Sequence, residues 1–247
     1  MRFDDKIVLV TGGASGIGLA TCREFAAVGA QVLVTDVNSE RGEEAARSIS
    51  KAGGRASFHR MDIVSIESVE QVFGEIEAEH GRLDVLVNAA GWDIIEPFME
   101  NTREYWERII ALNFMGPIQV TRTALPLLIK AGGRIVNVGS DAGRVGSYGE
   151  AVYAGAKGGI VAFTKSLARE VVRRQVSVNC VCPGPTDTPL FASQPEKLRT
   201  ALINAIPMKR LAQPKEIADA ILFFASDRAT YVTGQVLSVS GGLTTVD

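Results

Sequence analysis

The sequence predicts a single α/β domain, a doubly wound parallel sheet of about seven strands with helices on both faces. Three observations predict it. Short apolar runs closed by glycine or a polar residue alternate, along the whole chain, with longer stretches of helical periodicity. The apolar runs are nearly continuous rather than alternating apolar and polar, as strands buried on both faces require. No Pro/Ser-rich linker or internal repeat divides the 247 residues, so residues 1–247 read as one unit.

The elements follow in order. Residues 6–11 (KIVLVT) form a buried strand, 16–28 a helix stopped by Gly29, and 31–35 (QVLVT) the second strand. Residues 39–52 form a polar-faced helix with Ser39 as its expected cap and Gly53-Gly54 as its stop. Residues 56–61 are the third strand. The helix 65–80 starts at Ser65 and ends at Gly81; residues 83–88 (LDVLVN) are the fourth strand. A long helical stretch over 102–130 should break or kink near Gly116-Pro117. Strand 134–138, helix 150–173 and strand 176–181 come next. An irregular to helical segment spans 189–207, a proline-started helix 214–225, and a last strand 235–239. The expected strand order is 3-2-1-4-5-6-7, by analogy with doubly wound nucleotide folds.

Composition narrows the partners. Hydrophobic residues make up 46% and charged residues 22%, which suits a globular domain with a real core. A formal net charge of −2 gives no basic surface for nucleic acid or an anionic membrane. Three cysteines without a Cys-x-x-Cys and only two histidines argue against zinc and against a disulfide framework. Cys180 and Cys182 alternate in an apolar run and should point to one side as small hydrophobes. No apolar signal region or long apolar run is present, so a cytoplasmic protein is expected.

Two constellations carry chemistry. Thr-Gly-Gly-Ala-Ser-Gly-Ile-Gly, residues 11–18, sits between the first strand and the first helix. There Gly12, Gly16 and Gly18 let the backbone turn sharply and approach a pyrophosphate, with Ser15 and Ile17 between them and the helix N-terminus facing the negative charge. Asp36 ends the second strand, where a carboxylate accepts both ribose hydroxyls of NAD and repels a 2′-phosphate; neither Ser15 nor Val37 offers the cation NADP would want. Asp62-Ile63 ends the third strand and would meet the adenine. Asn88, Ala90 and Gly91 end the fourth, on the same edge. Further on, Tyr153 and Lys157 stand one helical turn apart, on one face. An ammonium beside a phenol favours phenolate, allowing proton exchange below the free value of about 10. Together these parts point to hydride transfer accompanied by a tyrosine-borne proton.

The motifs 11–18, Asp62, 88–91, Asn113, Ser140, Tyr153/Lys157 and 183–188 stand in one order along essentially the whole chain. In this they resemble the classical short-chain dehydrogenase/reductase family. The resemblance implies a Rossmann-type fold and a set of roles. Tyr153 is the general acid/base, Lys157 holds the nicotinamide ribose and lowers the Tyr153 pKa, and Ser140 hydrogen-bonds the substrate oxygen. Asn113 anchors a proton-relaying water. Thr188 would bond the nicotinamide carboxamide, with Pro183, Gly184 and the Thr186 backbone beside it. Two departures are noted: Ala89 replaces the second Asn of Asn-Asn-Ala-Gly, and Ser240 the Asp before the final Gly-Gly.

Substrate residues are expected after the strand ends: Trp92, Asp93, Asp141, Arg144, Tyr148, Pro185 and the 189–207 segment. Arg144 would clamp an anion or pair with a nearby carboxylate. Lys197, Arg199, Lys209 and Arg210 bracket a flap, as a solvated face or as contacts for acyl-carrier phosphates. The stretches 91–93, 140–146 and 183–189 resemble 2-hydroxycyclohexanecarboxyl-CoA dehydrogenases, implying a β-hydroxyacyl-CoA substrate. The competing expectations are a 3-oxoacyl-carrier-protein reductase, a sugar or polyol dehydrogenase, and an idle NAD-binding sensor. Small residues on helix 150–173 (Ala154, Gly155, Ala156, Gly158, Gly159) suggest helix pairing between subunits, which the family resemblance turns into a homotetramer.

Overall fold

The computed structural model describes residues 1–246. Its elements run β1 (Ile7–Thr11), α1 (Gly16–Ala27), β2 (Gln31–Asp36), α2 (Ser39–Lys51), β3 (Arg55–Arg60), α3 (Ile66–His80) and β4 (Val85–Asn88). Then come α4 (Arg103–Ile110), α5 (Gly116–Ala131), β5 (Arg134–Val138), α6 (Ala142–Val145), α7 (Ala151–Val171) and β6 (Ser177–Pro183). The chain closes with α8 (Pro189–Ala192), α9 (Glu196–Ala205), α10 (Pro214–Ala225) and β7 (Val236–Val239). The sheet is parallel throughout, in the expected order β3-β2-β1-β4-β5-β6-β7.

Successive residues of each strand face opposite sides of the sheet, and both sides are apolar. On one side Val8, Val10, Val32 and Val34 pack against Phe25, Ile217 and Ile221 of α1 and α10. On the other, Leu9, Leu33, Leu86 and Ile135 pack against Val69, Phe73, Val120 and Leu128 of α3 and α5. The continuous apolar runs therefore have the cause the sequence suggested. Cys180 and Cys182 are fully buried, side by side, with sulfurs 3.8 Å apart.

Two local expectations are corrected. The cap of α2 is Asn38, whose side chain accepts from the Arg41 N–H, while Ser39 is the first helical residue. The break in the long helix lies one turn earlier than Gly116-Pro117. Residues Ala111–Met115 form a π turn, and Pro117 falls in the first turn of α5, where a missing N–H costs nothing. The irregular segment resolves into α8 and α9. Ser65 does cap α3, accepting from the Ser68 N–H, and Gly81 ends it in the left-handed region at φ 67°.

The strand order reverses between β1 and β4, so the loops leaving these strands diverge and open a crevice at the carboxyl edge. Every predicted motif ends on that edge.

Candidate active site

The glycine loop is tight because its backbone is. A Cβ on Gly18 would lie 2.1 Å from the Gly12 carbonyl oxygen, and one on Gly12 would lie 2.8 Å from Ala90 Cα. Only glycine fits at either place, so the loops after β1 and β4 touch. Thr11 Oγ1 secures the second loop, accepting from the N–H groups of Ala89 and Ala90 at 3.0 and 3.1 Å. A Cβ on Gly16 would come within 3.3 Å of Thr188 Cγ2, which brings the loop after β6 to the same spot. Ser15 is exposed and extended before α1, its hydroxyl making no cap bond.

Asp36 stands at the end of β2. Its two carboxylate oxygens accept from the Ala14 N–H at 3.3 Å and the Asn38 N–H at 3.0 Å. The carboxylate is thus fixed against the glycine loop, with exposed Val37 beside it. Asp62 closes a turn by accepting from the Val64 N–H, and the Ile63 carbonyl accepts from Gln119 Nε2. A backbone cradle no side chain could enter, a helix N-terminus and a carboxylate at the second strand end fit a dinucleotide.

Asn88 has another occupation. Its side chain is buried and donates to Thr121 Oγ1 at 3.0 Å and Asn137 Oδ1 at 2.8 Å, and Asn137 donates on to Thr164 Oγ1 at 2.9 Å. That chain ties β4 and β5 to α5 and α7. The amide nitrogen of Asn88, a residue expected at the cofactor, thus holds the sheet, while its buried Oδ1 has no partner among the described residues.

Ser140, Tyr153 and Lys157 border one cavity of about 420 Å³ at the ends of β4, β5 and β6. The cavity is also lined by Ile17, Gly91, Asp93, Asp141, Pro183, Gly184, Pro185, Thr186 and Thr188. Lys157, 4% exposed, donates to the Val138 carbonyl at 3.0 Å. Burial pushes its pKa down to about 8, against the opposing influence of Cys180, Cys182 and Asp93. Gly91 is the hinge of the group: a Cβ there would meet Asn113 Oδ1 at 2.9 Å and Lys157 Nζ at 3.3 Å. Asn113, fully buried, sits in the π turn and donates to the carbonyls of Trp92 and Ile109 at 2.8 and 3.1 Å. The π turn disturbs the regular helical ladder where Asn113 sits, and the Ile109 carbonyl accepts from the Asn113 side chain there.

The phenol differs from its expectation. Burial raises the Tyr153 pKa above its ordinary value, Glu150 and Asp93 raise it further, and a hydrogen bond with Ser140 opposes them. The Lys157 ammonium lies 5.7 Å from the ring centroid and does not by itself hold the phenol low. Reaching phenolate near neutral pH therefore needs positive charge beyond what these side chains provide.

The substrate residues divide. Asp93, Asp141 and Pro185 line the cavity; Trp92, Arg144 and Tyr148 do not. Trp92 is covered by the Arg108 guanidinium, 3.8 Å from its ring centroid. Arg144 donates to the Val246 carbonyl and, at 2.6 Å, to Ser238 Oγ, whose hydroxyl donates on to Asp141 Oδ1 at 2.6 Å, so it reaches a carboxylate through Ser238 rather than directly. Tyr148 is 84% exposed. Thr188 caps α8, accepting from the Phe191 N–H at 3.2 Å. Arg210 forms a bidentate pair with Glu216, the solvated alternative for that charge. The 189–207 segment contributes Phe191 and Leu202 to the lining as expected, and residues not anticipated as cavity walls are Ile95, Glu150 and Leu243. Glu150 was within reach of sequence reasoning, since it stands three residues before Tyr153 on the same helical face.

Fold, cradle and triad define a nicotinamide-dependent oxidoreductase acting on CH–OH groups. The chain belongs to the short-chain dehydrogenase/reductase family. Residues 12–244 match the family model described as enoyl-(acyl carrier protein) reductase. The chain is 37% identical to the 3-oxoacyl-[acyl-carrier-protein] reductase FabG of Thermotoga maritima, over 98% of this chain and 99% of that one. The FabG of Escherichia coli is 38% identical over the same shares. Among solved structures, a point variant of actinorhodin polyketide ketoreductase with NADPH superposes with a TM-score of 0.93 at 32% identity, covering 98% of this chain and 99% of that one. The crystal structure of gox2181 gives 0.94 at 30% identity, covering 98% and 96%. The curated relatives carry the carrier-protein reductase name rather than that of a 2-hydroxycyclohexanecarboxyl-CoA dehydrogenase, which moves the weight to the first competing expectation. No helix among the described residues is long and apolar enough to cross a membrane.

Proposed function

We propose that the protein is an NAD(H)-linked enzyme interconverting a 3-oxoacyl and a 3-hydroxyacyl thioester. The observation that carries the reaction type is the convergence of Ser140, Tyr153 and Lys157 on one cavity beside the glycine cradle. The thioester is supported by the names of the relatives. NAD is supported by Asp36, fixed by two backbone N–H groups where a 2′-phosphate would have to sit.

When bound, the nicotinamide would supply or accept the hydride. In reduction the Tyr153 hydroxyl gives its proton to the oxygen of the reacting carbonyl, and Ser140 donates a hydrogen bond to the same oxygen as charge develops. In oxidation Tyr153 takes the proton back. Lys157, poised near 8, restores the proton through its own exchange, with Asn113 behind it. Gly12, Ser15, Gly16, Ile17, Gly18, Asp36, Asp62, Ile63, Ala90, Gly91, Pro183, Gly184, Thr186 and Thr188 would hold the cofactor. Lys197 and Arg199 of α9, whose Leu202 reaches the cavity, would meet the phosphates of an acyl carrier.

The assembly proposed is a homotetramer. Ile110 and Met115 stay exposed beside the π turn, and Gly155 of α7 is open to close helix approach. Light scattering at micromolar concentration should give four subunits, and a monomer would reject the arrangement.

The test of function is a spectrophotometric panel: acetoacetyl-CoA, an acetoacetyl-carrier protein, the oxidation of 2-hydroxycyclohexanecarboxyl-CoA, and simple polyols, each with NAD(H) and NADP(H). The expected result is thioester turnover with kcat/KM at least about tenfold above polyols, and NADH ahead of NADPH. A polyol preferred over every thioester would remove the substrate class and leave the reaction type standing.

A further inference from the structure

Two acids, Asp93 and Glu150, stand in the lining of the cavity that also holds Ser140. Asp93, only 5% exposed, follows β4, and Glu150 opens α7. Their loops are stitched together: the Glu96 N–H donates to the Gly149 carbonyl at 2.9 Å. Gly149 adopts φ +78°, and a Cβ there would meet Ile95 Cγ2 at 2.9 Å, so the loops approach too closely for any other residue. Both acids line the cavity. Asp93 Oδ1 accepts from the Tyr105 hydroxyl at 2.7 Å, which anchors the carboxyl from outside. Asp93 Oδ2 is buried with no donor from the protein.

The charges around this wall do not balance it. Arg108 is engaged over Trp92, and Lys157 is committed to the Val138 carbonyl. Glu96 adds a third acid behind Tyr105 and is itself bound by Asn101 Nδ2 at 3.0 Å. The Asp93 pKa stands at about 7, raised first by burial and with Glu150 adding to it, so its ionised form is costly here without a donor. A buried acceptor with no donor of its own is left unsatisfied until a partner arrives. An apolar acyl chain supplies none.

We propose that Asp93, with Glu150, is a specificity-determining acceptor pair that selects substrates bearing a hydrogen-bond donor, a hydroxyl or an ammonium, within the cavity that holds the reacting carbinol. Both acids line the same cavity as Tyr153, so a donor carried by a small substrate held at Tyr153 lies in the cavity they face. A carboxylate substituent there would be repelled. The proposal rests on the dehydrogenase reading of the cavity and not on the thioester.

The experiment compares three alcohols with NAD: 2-butanol, 2,3-butanediol, and 3-methoxy-2-butanol. The ether keeps the second oxygen and nearly the same shape but has no donor. The wild-type enzyme should oxidise the diol with kcat/KM at least about tenfold above the ether. Asp93→Asn keeps an acceptor for Tyr105 but presents an amide donor on the other side, and should bring the ratio to within about threefold of unity. Glu150→Gln is the second variant, at a half-buried position that tolerates substitution more readily, and should shift the ratio in the same direction. A ratio near one in the wild type, or an unchanged ratio in both variants, overturns the proposal. If 3-hydroxybutyryl-CoA is oxidised while diol and ether are equal, only the acceptor pair falls. If no carbinol is oxidised with either cofactor, the dehydrogenase reading falls and takes the pair with it.

Discussion

The cofactor edge and the substrate wall sit on the same rim of the sheet and are built from different material. The cofactor edge is backbone: Gly12, Gly16 and Gly18, the Ala14 N–H that holds Asp36, and the start of α1. Its shape follows from residues adjacent in sequence, and a Cβ 2.1 Å from a carbonyl oxygen leaves no freedom. The substrate wall is side chains from the loops after β4, β5 and β6, plus α9 and the stretch after β7, meeting only in three dimensions. A local motif specifies the first and cannot specify the second. Comparable chemistry at one edge with different walls is how one fold serves many substrates.

The largest expected effect falls where both regions meet. Tyr153→Phe removes the hydroxyl and keeps the ring, so turnover should fall by at least about a hundredfold while NADH still binds. Lys157→Ala should lose turnover and also weaken cofactor binding. Stopped-flow turnover and fluorescence titration of NADH separate the two. Near-normal turnover in Tyr153→Phe would mean the proton leaves by another route.

Next in size is the cofactor edge itself. Asp36→Ala together with Val37→Arg removes the carboxylate and adds a cation at an exposed position. The NAD/NADP ratio of kcat/KM should drop by about tenfold or more and approach or cross unity. A wild-type enzyme that already prefers NADP would break the comparison at its better-defined end.

The two regions were unequally legible. The strand order, both faces of the core, the glycine loop and Asp36 follow from periodicity and from steric rules that act over a few residues. Ser140, Tyr153 and Lys157 were legible because a motif fixes their spacing. Trp92, Arg144 and Tyr148 were misplaced because direction after a strand end depends on partners far away in sequence: Arg108 for Trp92, Ser238 and Val246 for Arg144. The π turn at Ala111–Met115 was displaced toward Pro117 because proline is a visible breaker, whereas a π turn leaves no mark in composition. The raised Tyr153 pKa was missed because it comes first from burial, which the assembled cavity sets, and only then from Glu150 and from Asp93 on another loop.

A smaller effect probes that wall through stability. The Asp93 pKa in the folded chain is about 7, against an ordinary 3.8. The folded state therefore binds more protons than the unfolded state between those values. By linkage, stability falls as pH rises from about 4 through 7 and levels off above. Asp93→Asn should flatten that fall and gain on the order of 2–4 kcal/mol over wild type at pH 7.5 relative to pH 4. Lys157, pushed down to about 8 from 10.5, acts in another window. The unfolded chain binds the extra proton between 8 and 10.5, so its burden eases only above pH 8. Urea titrations from pH 4 to 7.5 isolate Asp93, and parallel curves for wild type and variant would remove it from the pair.

The smallest effect is expected at Tyr148, and it tests whether the wall is complete. Tyr148 follows Ser140 in the loop before α7 and was expected at the substrate; instead it is 84% exposed and outside the cavity lining. Its neighbours Ser147 and Glu150 do line the cavity, so the loop is placed to contribute and this one side chain turns away. An exposed side chain without buried partners is worth within about 0.5 kcal/mol. Tyr148→Ala should therefore leave kcat and KM within about twofold of wild type for whichever substrate proves best. A KM rise of tenfold with unchanged thermal stability would show that the loop folds over bound substrate and carries the phenol inward. The substrate wall would then be partly made on binding, a difference from the rigid cofactor edge in behaviour as well as in material.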